Sequence, residues 1–257
     1  MKAVILAGGL GTRLSEETIN KPKPMVEIGG IPIIAHIMQL YSYFGINEFI
    51  VCGGYKVDII NEYFLNYNKF HKSIRINLSD NNLSIIERHK IDWDVTIVDT
   101  GLNTMTGGRL KRVKDYLKDD ESFCMTYGDG LSDINITESI KFHRDHGGLA
   151  TLAAVYPPAR FGALDILQNS QVQSFKEKPK GDGARINGGF FVLSKKVIDY
   201  IEGDFTVWEK EPLETLSANK ELYAYKHDGF WQPMDTLKDK RELEKLIKEN
   251  NAPWMKR

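Results

Sequence analysis

The residues that can do chemistry together begin at Gly8-Gly9-Leu10-Gly11-Thr12-Arg13 and continue at Lys21-Pro22-Lys23-Pro24. A glycine-rich bend bares backbone N–H groups to an anion, because without a Cβ phosphate oxygens can approach the main chain. Arg13 adds a planar fork that grips phosphate through two N–H groups, and Lys23 adds a mobile point charge. These residue types read as a polyphosphate site, against the plainer reading of an ordinary tight turn. Two acids stand further along. Asp129 lies between Gly128 and Gly130 at the C-terminal end of the apolar run Phe123 to Tyr127, where open α/β sheets place their ligands. Asp235 follows Gly229-Phe230-Trp231-Gln232-Pro233-Met234. Singly, Asp129 reads equally as a turn residue and Asp235 as a helix cap.

Two familiar phosphate loops do not fit. A Walker loop ends in Gly-Lys-Ser/Thr, whereas Gly11 is followed by Thr12-Arg13. The dinucleotide fingerprint places its third glycine where Leu14 stands, and the next apolar run, Phe49 to Cys52, ends in Gly53-Gly54 with no acid for a ribose.

The composite Leu6-Ala7-Gly8-Gly9-Leu10-Gly11-Thr12-Arg13-Leu14 with Lys21-Pro22-Lys23-Pro24-Met25 resembles the signature of the sugar-1-phosphate nucleotidyltransferases, and the likeness covers nearly the whole chain. It implies transfer of CMP from CTP to α-D-glucose 1-phosphate, with a homo-oligomer acting upstream of dideoxyhexoses in bacterial surface polysaccharide. It also implies a nucleotide site at Leu6, Ala7, Gly8, Gly9, Leu10, Gly11, Thr12, Arg13, Lys23, Thr104, Arg109 and Gly128, in which Arg13, Lys23 and Asp129 are catalytic. Asp129 and Asp235 would hold Mg²⁺, since two carboxylates in fixed geometry hold it better than one. Glu177-Lys178-Pro179, Asn187-Gly188 and Arg160-Phe161-Gly162 resemble the sugar-phosphate site, where Lys178 would hold the phosphate, Glu177 the sugar hydroxyls, and Asn187 and Gly188 the wall. On residue type alone, Glu177 and Lys178 are ordinary solvated charges.

Asn103-Thr104-Met105-Thr106-Gly107-Gly108-Arg109 departs from the family's glutamine-containing pattern, which argues against uracil and thymine. Cytosine offers an N4 donor where uracil offers an acceptor, so the reading groups must change. Threonines, backbone carbonyls of Gly8-Gly9, and Arg109 on O2 or phosphate are the candidates; the plain alternative is a glycine helix start with no base contact. A uridylyl- or thymidylyltransferase of the same fold and a non-catalytic nucleotide-sugar sensor are the other readings. The sensor is disfavoured because Arg13, Lys23, Asp129 and Asp235 are all present.

At 257 residues the chain is long enough for one large core. Its 34 basic and 35 acidic residues give a net charge of −1, which supports neither a nucleic-acid nor a membrane partner. Cys52 and Cys124 sit in apolar runs and read as buried reduced thiols, not a disulfide framework or metal cluster. No signal segment or long apolar span is readable, so the expected location is cytoplasmic. His143 and His146, at i and i+3, read as a solvated helix face more readily than as a weak metal pair. No Ser-His-acid or Cys-His arrangement is readable, so no covalent intermediate is expected.

The elements that must position these residues alternate. Apolar runs at 2–7, 49–52, 123–127 and 149–156 are separated by helix-period segments, the pattern of an α/β fold with a mixed, mostly parallel, Rossmann-like sheet flanked by helices. Helices are expected from Pro32 to Gly45, over Val57 to Phe64, from the capping box Asn135-Ile136-Thr137-Glu138 to His146, and from about Thr236 to Glu249. Shorter strands at 163–167, 172–176, 188–193, 222–226 and 230–233 follow. The whole reads as a single domain, with a nucleotide half to about residue 160 and a sugar-phosphate half beyond. Residues 66–93, polar and Asn-rich, read as a projecting β-hairpin against a neighbouring subunit or in solvent.

Overall fold

The computed structural model describes residues 1–67, 74–85, 91–158, 163–168, 170–176 and 184–255. Among them, seven strands form the main sheet: β1 (Ala3–Leu6), β2 (Glu48–Gly53), β3 (Asp94–Asp99), β4 (Ser122–Tyr127), β5 (Ala150–Val155), β6 (Ile186–Ser194) and β7 (Leu222–Lys226). Their spatial order is β7-β5-β6-β4-β1-β2-β3. Pairing is parallel from β4 through β1 and β2 to β3, and again between β5 and β7. Only β6 runs against its neighbours, β4 and β5. The sheet is therefore mixed and mostly parallel, as the alternation implies, and β6 from the later half of the chain is built between strands of the earlier half.

Both faces of the sheet are covered, and the period-two alternation of each strand divides the core. Ala3, Ile5, Phe49, Val51, Cys124 and Val192 point to one side. There they meet α1 (Ile33–Tyr43), α2 (Val57–Leu65), α4 (Ile136–His146) and α6 (Leu237–Lys248). Val4, Leu6, Ile50, Cys52, Phe123, Met125 and Phe191 face the other way. They pack on α3 (Thr106–Arg112), α5 (Glu211–Ala218) and the 3₁₀ turns at 195–200. Each such side chain taken from water stabilises the fold by roughly 1.5–3 kcal/mol before entropy is counted, and the buried β1 sits at the centre of both clusters. Cys52 and Cys124 are buried free thiols, both pushed up to about 12 by burial.

Asn135 caps α4 by accepting from the Glu138 N–H at 3.0 Å, and Gly147 closes it in the left-handed region. Pro32 stands just before α1, in a two-residue strand paired with Glu27–Ile28, one position ahead of the expected helical turn. Within the 66–93 segment, Ile74–Asn77 and Asn82–Ile85 form an antiparallel hairpin in a sheet of its own. Its turn is built by Asn77 accepting from the Ser79 N–H and Asp80 accepting from the Asn82 N–H. Strand β3 has no counterpart in the sequence reading: it is a half-buried edge strand whose acids at both ends and short Val95/Ile97 alternation resemble loop composition.

The histidine pair differs from expectation. His143 is buried, with Nδ1 2.9 Å from Thr151 Oγ1, and His146 Nε2 lies 2.7 Å from the same hydroxyl. His146 also stacks on Tyr223 at 3.9 Å between ring centroids. This face of α4 is turned onto β5 and β7, because Thr151 and Tyr223 offer it both a hydrogen-bond partner and a flat apolar surface. It is not a solvated face.

Candidate active site

A cavity of about 600 Å³ opens at the C-terminal ends of β1 and β4. Its wall includes Leu6, Ala7, Gly8, Gly9, Gly11, Thr12, Arg13, Lys23, Thr104, Arg109 and Gly128 on the expected nucleotide side, with Asp129, Asp235, Asn187 and Gly188. Leu10 alone of the nucleotide-side residues is not on the wall; its side chain is exposed. Glu177, Lys178 and Arg160-Phe161-Gly162 lie outside the described residues.

The glycine loop leaves buried β1 and turns at Gly11, whose φ of +64° suits glycine, into a 3₁₀ turn at Thr12–Leu14. Pro22 and Pro24 then fix the backbone around a second 3₁₀ turn, Lys23–Met25, and swing Lys23 into the cavity. Lys23 is buried, and its Nζ lies 2.7 Å from Asp129 Oδ2 and 2.7 Å from Asp235 Oδ1. A buried ammonium without partners would be costly; two carboxylates offset that cost. Arg13, itself exposed, donates to Asp235 Oδ2 at 2.7 Å.

The two acids meet through a short antiparallel ribbon, Gly130–Ser132 with Trp231–Pro233, in which Pro233 faces Gly130 and the Met234 N–H donates to the Asp129 carbonyl at 2.9 Å. Thr236 occupies the cap of α6, where it forms a reciprocal capping box with Asp239. Asp239 also accepts from the Asp235 N–H at 3.1 Å. The helix start is thus capped by others, and the Asp235 carboxylate is turned to the cavity. The acid reads as a cavity residue and not as a cap.

Arg109, expected at the base O2 or a phosphate, lines the cavity and is engaged there by main-chain acceptors. Its guanidinium is buried and donates to the carbonyls of Gly53, Gly101, Gly8 and Leu102 at 2.8, 2.8, 3.0 and 3.2 Å, and to Thr100 Oγ1 at 2.7 Å. It ties the glycine loop to the turn after β3. Gly8 permits this, because a Cβ there would lie 2.0 Å from Arg109 Nη1. Burial lowers the Arg109 pKa from its ordinary value. The neighbouring glycines also serve packing: the N–H groups of Gly107 and Gly108 donate to the Thr206 carbonyl at 3.0 and 3.3 Å, and a Cβ on Gly108 would lie 2.5 Å from the Asp204 carbonyl oxygen. The 204–206 loop therefore takes up the Gly107 and Gly108 N–H groups in the first turn of α3, and these are not open to an anion.

Three wall or rim residues escape sequence reasoning. Tyr127 and Trp231 line the cavity, and the Trp231 indole N–H donates to the Gly188 carbonyl at 2.6 Å. Glu209 accepts from the Tyr127 hydroxyl and, at 2.7 Å, from Thr106 Oγ1. Tyr127 and Trp231 were visible only as neighbours of Asp129 and Asp235; Glu209, in a turn between 3₁₀ and helical segments, carries no local signal.

A mostly parallel sheet, a glycine loop at the end of its central strand, and a lysine shared by two carboxylates define a site built for nucleoside polyphosphate. Residues 2–245 match the Nucleotidyl transferase family, and the chain belongs to it. It is 60% identical over 254 residues to a glucose-1-phosphate cytidylyltransferase of Salmonella typhi, covering 99% of this chain and 98% of that one. A mannose-1-phosphate guanyltransferase of Saccharomyces cerevisiae is 33% identical over 93% of this chain and 62% of its own. Among solved structures, HddC from Yersinia pseudotuberculosis superposes with a TM-score of 0.68 at 25% identity, covering 96% of this chain and 99% of that one.

Proposed function

We propose that the chain transfers the CMP group from CTP to α-D-glucose 1-phosphate, giving CDP-glucose and pyrophosphate. The observation that carries the choice of substrates is the 60% identity, nearly end to end, with the Salmonella typhi cytidylyltransferase, against 33% with the guanyltransferase. What supports the chemistry is the convergence of Arg13, Lys23, Asp129 and Asp235 on one cavity.

An oxygen of the sugar phosphate attacks the α-phosphorus of CTP, the bond to the β,γ-pyrophosphate breaks, and pyrophosphate carries away the electron pair. The attacking phosphate is already anionic near neutral pH, so no strong general base is needed. Catalysis is then a matter of alignment and charge neutralisation. The glycine loop cradles the triphosphate, Arg13 neutralises the departing pyrophosphate, and Lys23 the charge growing at the α-phosphorus. Asn187 and Gly188, with Glu177 and Lys178, hold the sugar phosphate, while Thr104 and Thr106 flank the cytosine.

Asp129 and Asp235 fit Mg²⁺: both are hard oxygen donors facing the phosphate side of the cavity. Among the described residues no cluster of three or more His, Cys, Asp or Glu can hold a metal, so substrate oxygens would complete its shell. When bound, Mg²⁺ supplies charge neutralisation at the phosphates. No described helix is long and apolar enough to cross a membrane, and the same reading places the chain in the cytoplasm as a homo-oligomer, which sedimentation of the purified protein tests.

The deciding experiment is pyrophosphate release with Mg²⁺, glucose 1-phosphate and each of CTP, UTP, dTTP, ATP and GTP, beside Asp129→Ala and a chelator control. CTP foremost, lost in both controls, is the expected result. Preference for UTP or dTTP would replace the base and keep the mechanism. Silence with every pair would favour a sensor.

A further inference from the structure

The charged groups on the phosphate side of the cavity satisfy one another. Lys23 Nζ sits 2.7 Å from Asp129 Oδ2 and 2.7 Å from Asp235 Oδ1, and Arg13 takes the other oxygen of Asp235 at 2.7 Å. Two positive and two negative groups leave this cluster neutral. Its parts differ in how firmly they are held. The main chain around Lys23 is fixed, for the Met25 N–H donates to the Pro22 carbonyl at 2.8 Å and the Val26 N–H to the Lys23 carbonyl at 3.1 Å. Pro24 packs beside Asp129 so closely that a Cβ on Gly128 would lie 2.9 Å from its ring. The acids are anchored as well, Asp129 through its carbonyl to the Met234 N–H and Asp235 through its N–H to Asp239. The Lys23 ammonium instead ends a four-carbon stem with rotatable bonds. It is the part of the cluster that can move without moving the backbone. Asp129 keeps 30% of its side-chain exposure, so the seat between the acids opens to the cavity.

We propose that Lys23 is an exchangeable counter-ion: its ammonium competes with a divalent cation for Asp129 and Asp235, and is given up to the phosphates only when that cation is there to replace it on the carboxylates. A divalent cation alone would leave the buried ammonium without its carboxylates. A triphosphate alone would draw the ammonium away and leave two carboxylates unpaired. Each by itself strands buried charge of one sign, which is costly. Together they trade partners and strand none, so metal and nucleotide bind with positive coupling, and each binds poorly without the other. This deepens the polyphosphate reading given above and rests on it.

The test is a pair of binding titrations on the whole chain, with no turnover involved. Mn²⁺ is titrated without nucleotide and followed by electron paramagnetic resonance of the unbound ion. CTP is titrated in EDTA and followed by calorimetry. Wild type, Lys23→Met and Lys23→Met/Asp129→Ala are compared, with melting temperatures beside them; methionine keeps much of the stem and removes the charge. The expected result is a shift of opposite sign in the two titrations: Lys23→Met binds Mn²⁺ about tenfold more tightly than wild type and metal-free CTP about tenfold more weakly. The gain in Mn²⁺ affinity should vanish in the double variant, which places it at the acid pair. A lysine that only contacts phosphate would weaken CTP and leave Mn²⁺ binding unmoved, and one that only supports the fold would weaken both. Either pattern, or a Mn²⁺ gain that survives in the double variant, would overturn the exchange while leaving an active wild type. Wild-type failure to bind or turn over CTP with Mg²⁺ present would instead remove the functional reading, and the exchange with it.

Discussion

Lys23 and Arg109 are both buried cations on the wall of one cavity, yet the structure employs them in opposite ways. Lys23 is held by two carboxylates that a metal or phosphate can compete for. Arg109 is held by four carbonyls and a hydroxyl from separate stretches of chain, none of which can leave without unfolding a loop. A cation whose partners are side chains at the cavity can exchange them for ligand; one whose partners are backbone is also tied to the loops it joins.

The difference is sharpest under truncation. Lys23→Ala should lower turnover by about a hundredfold or more, since in the proposed mechanism it removes the charge that meets the reacting phosphate. It should leave a folded protein, because Asp129 and Asp235 keep solvent access and Arg13. Arg109→Ala should do the reverse, with stability falling by several kcal/mol, on the order of 1–3 for each buried acceptor left without a donor. Activity of whatever remains folded, measured well below its melting temperature, should drop far less than in Lys23→Ala. Urea midpoints and pyrophosphate release on the two variants read both axes, and equal losses on either axis would erase the distinction. Removing divalent metal with a chelator should mimic the catalytic loss and leave the urea midpoint of Arg109→Ala unmoved.

The docking of α3 allows a smaller test. Gly108→Ala forces a methyl to within 2.5 Å of the Asp204 carbonyl oxygen, so the 204–206 loop must shift, at a cost of about 1–3 kcal/mol. If these glycines instead existed for base contact, the alanine variant would keep its urea midpoint and lose only nucleotide affinity.

This division explains how much was legible in advance. The strands carrying β1, β2, β4 and β5 announce themselves because their continuous apolar runs face two clusters at once. Arg13, Lys23, Asp129 and Asp235 were readable because their local settings, glycines and prolines, serve the cavity directly. The main-chain partners of Arg109 were not legible, because acceptors at Gly8, Gly53 and Gly101 are scattered along the chain and glycine carbonyls leave no mark in side-chain type. Strand β3 and Glu209 were hidden for a related reason: an edge strand with polar ends and a turn glutamate acquire meaning only from what tertiary contacts bring opposite them. The histidines of α4 fall in the same group, since their spacing fits a solvated face and only Thr151 and Tyr223, across on β5 and β7, convert it to a packed one.

That packed face yields the smallest effect. Burial, followed by His146 and Arg144, lowers His143 from 6.5 to about 4, and burial lowers His146 as well. Asp145 and Glu221 act on His146 in the opposite direction, and Tyr223 covers its ring. Above pH 6.5 His143 is neutral in both folded and unfolded chains and contributes no pH dependence. As pH falls below 6.5 the unfolded chain takes up a proton that the folded chain refuses, so stability is lost progressively down to about pH 4 and levels off below it. His143→Gln can keep a hydrogen bond to Thr151 but cannot titrate. The wild-type urea midpoint should therefore fall relative to that of His143→Gln as the pH is lowered from 7 toward 4, whatever constant offset separates them at neutral pH. Parallel pH profiles over that window would mean that the imidazole is protonated as easily in the fold as in water, and that the α4 face opens to solvent.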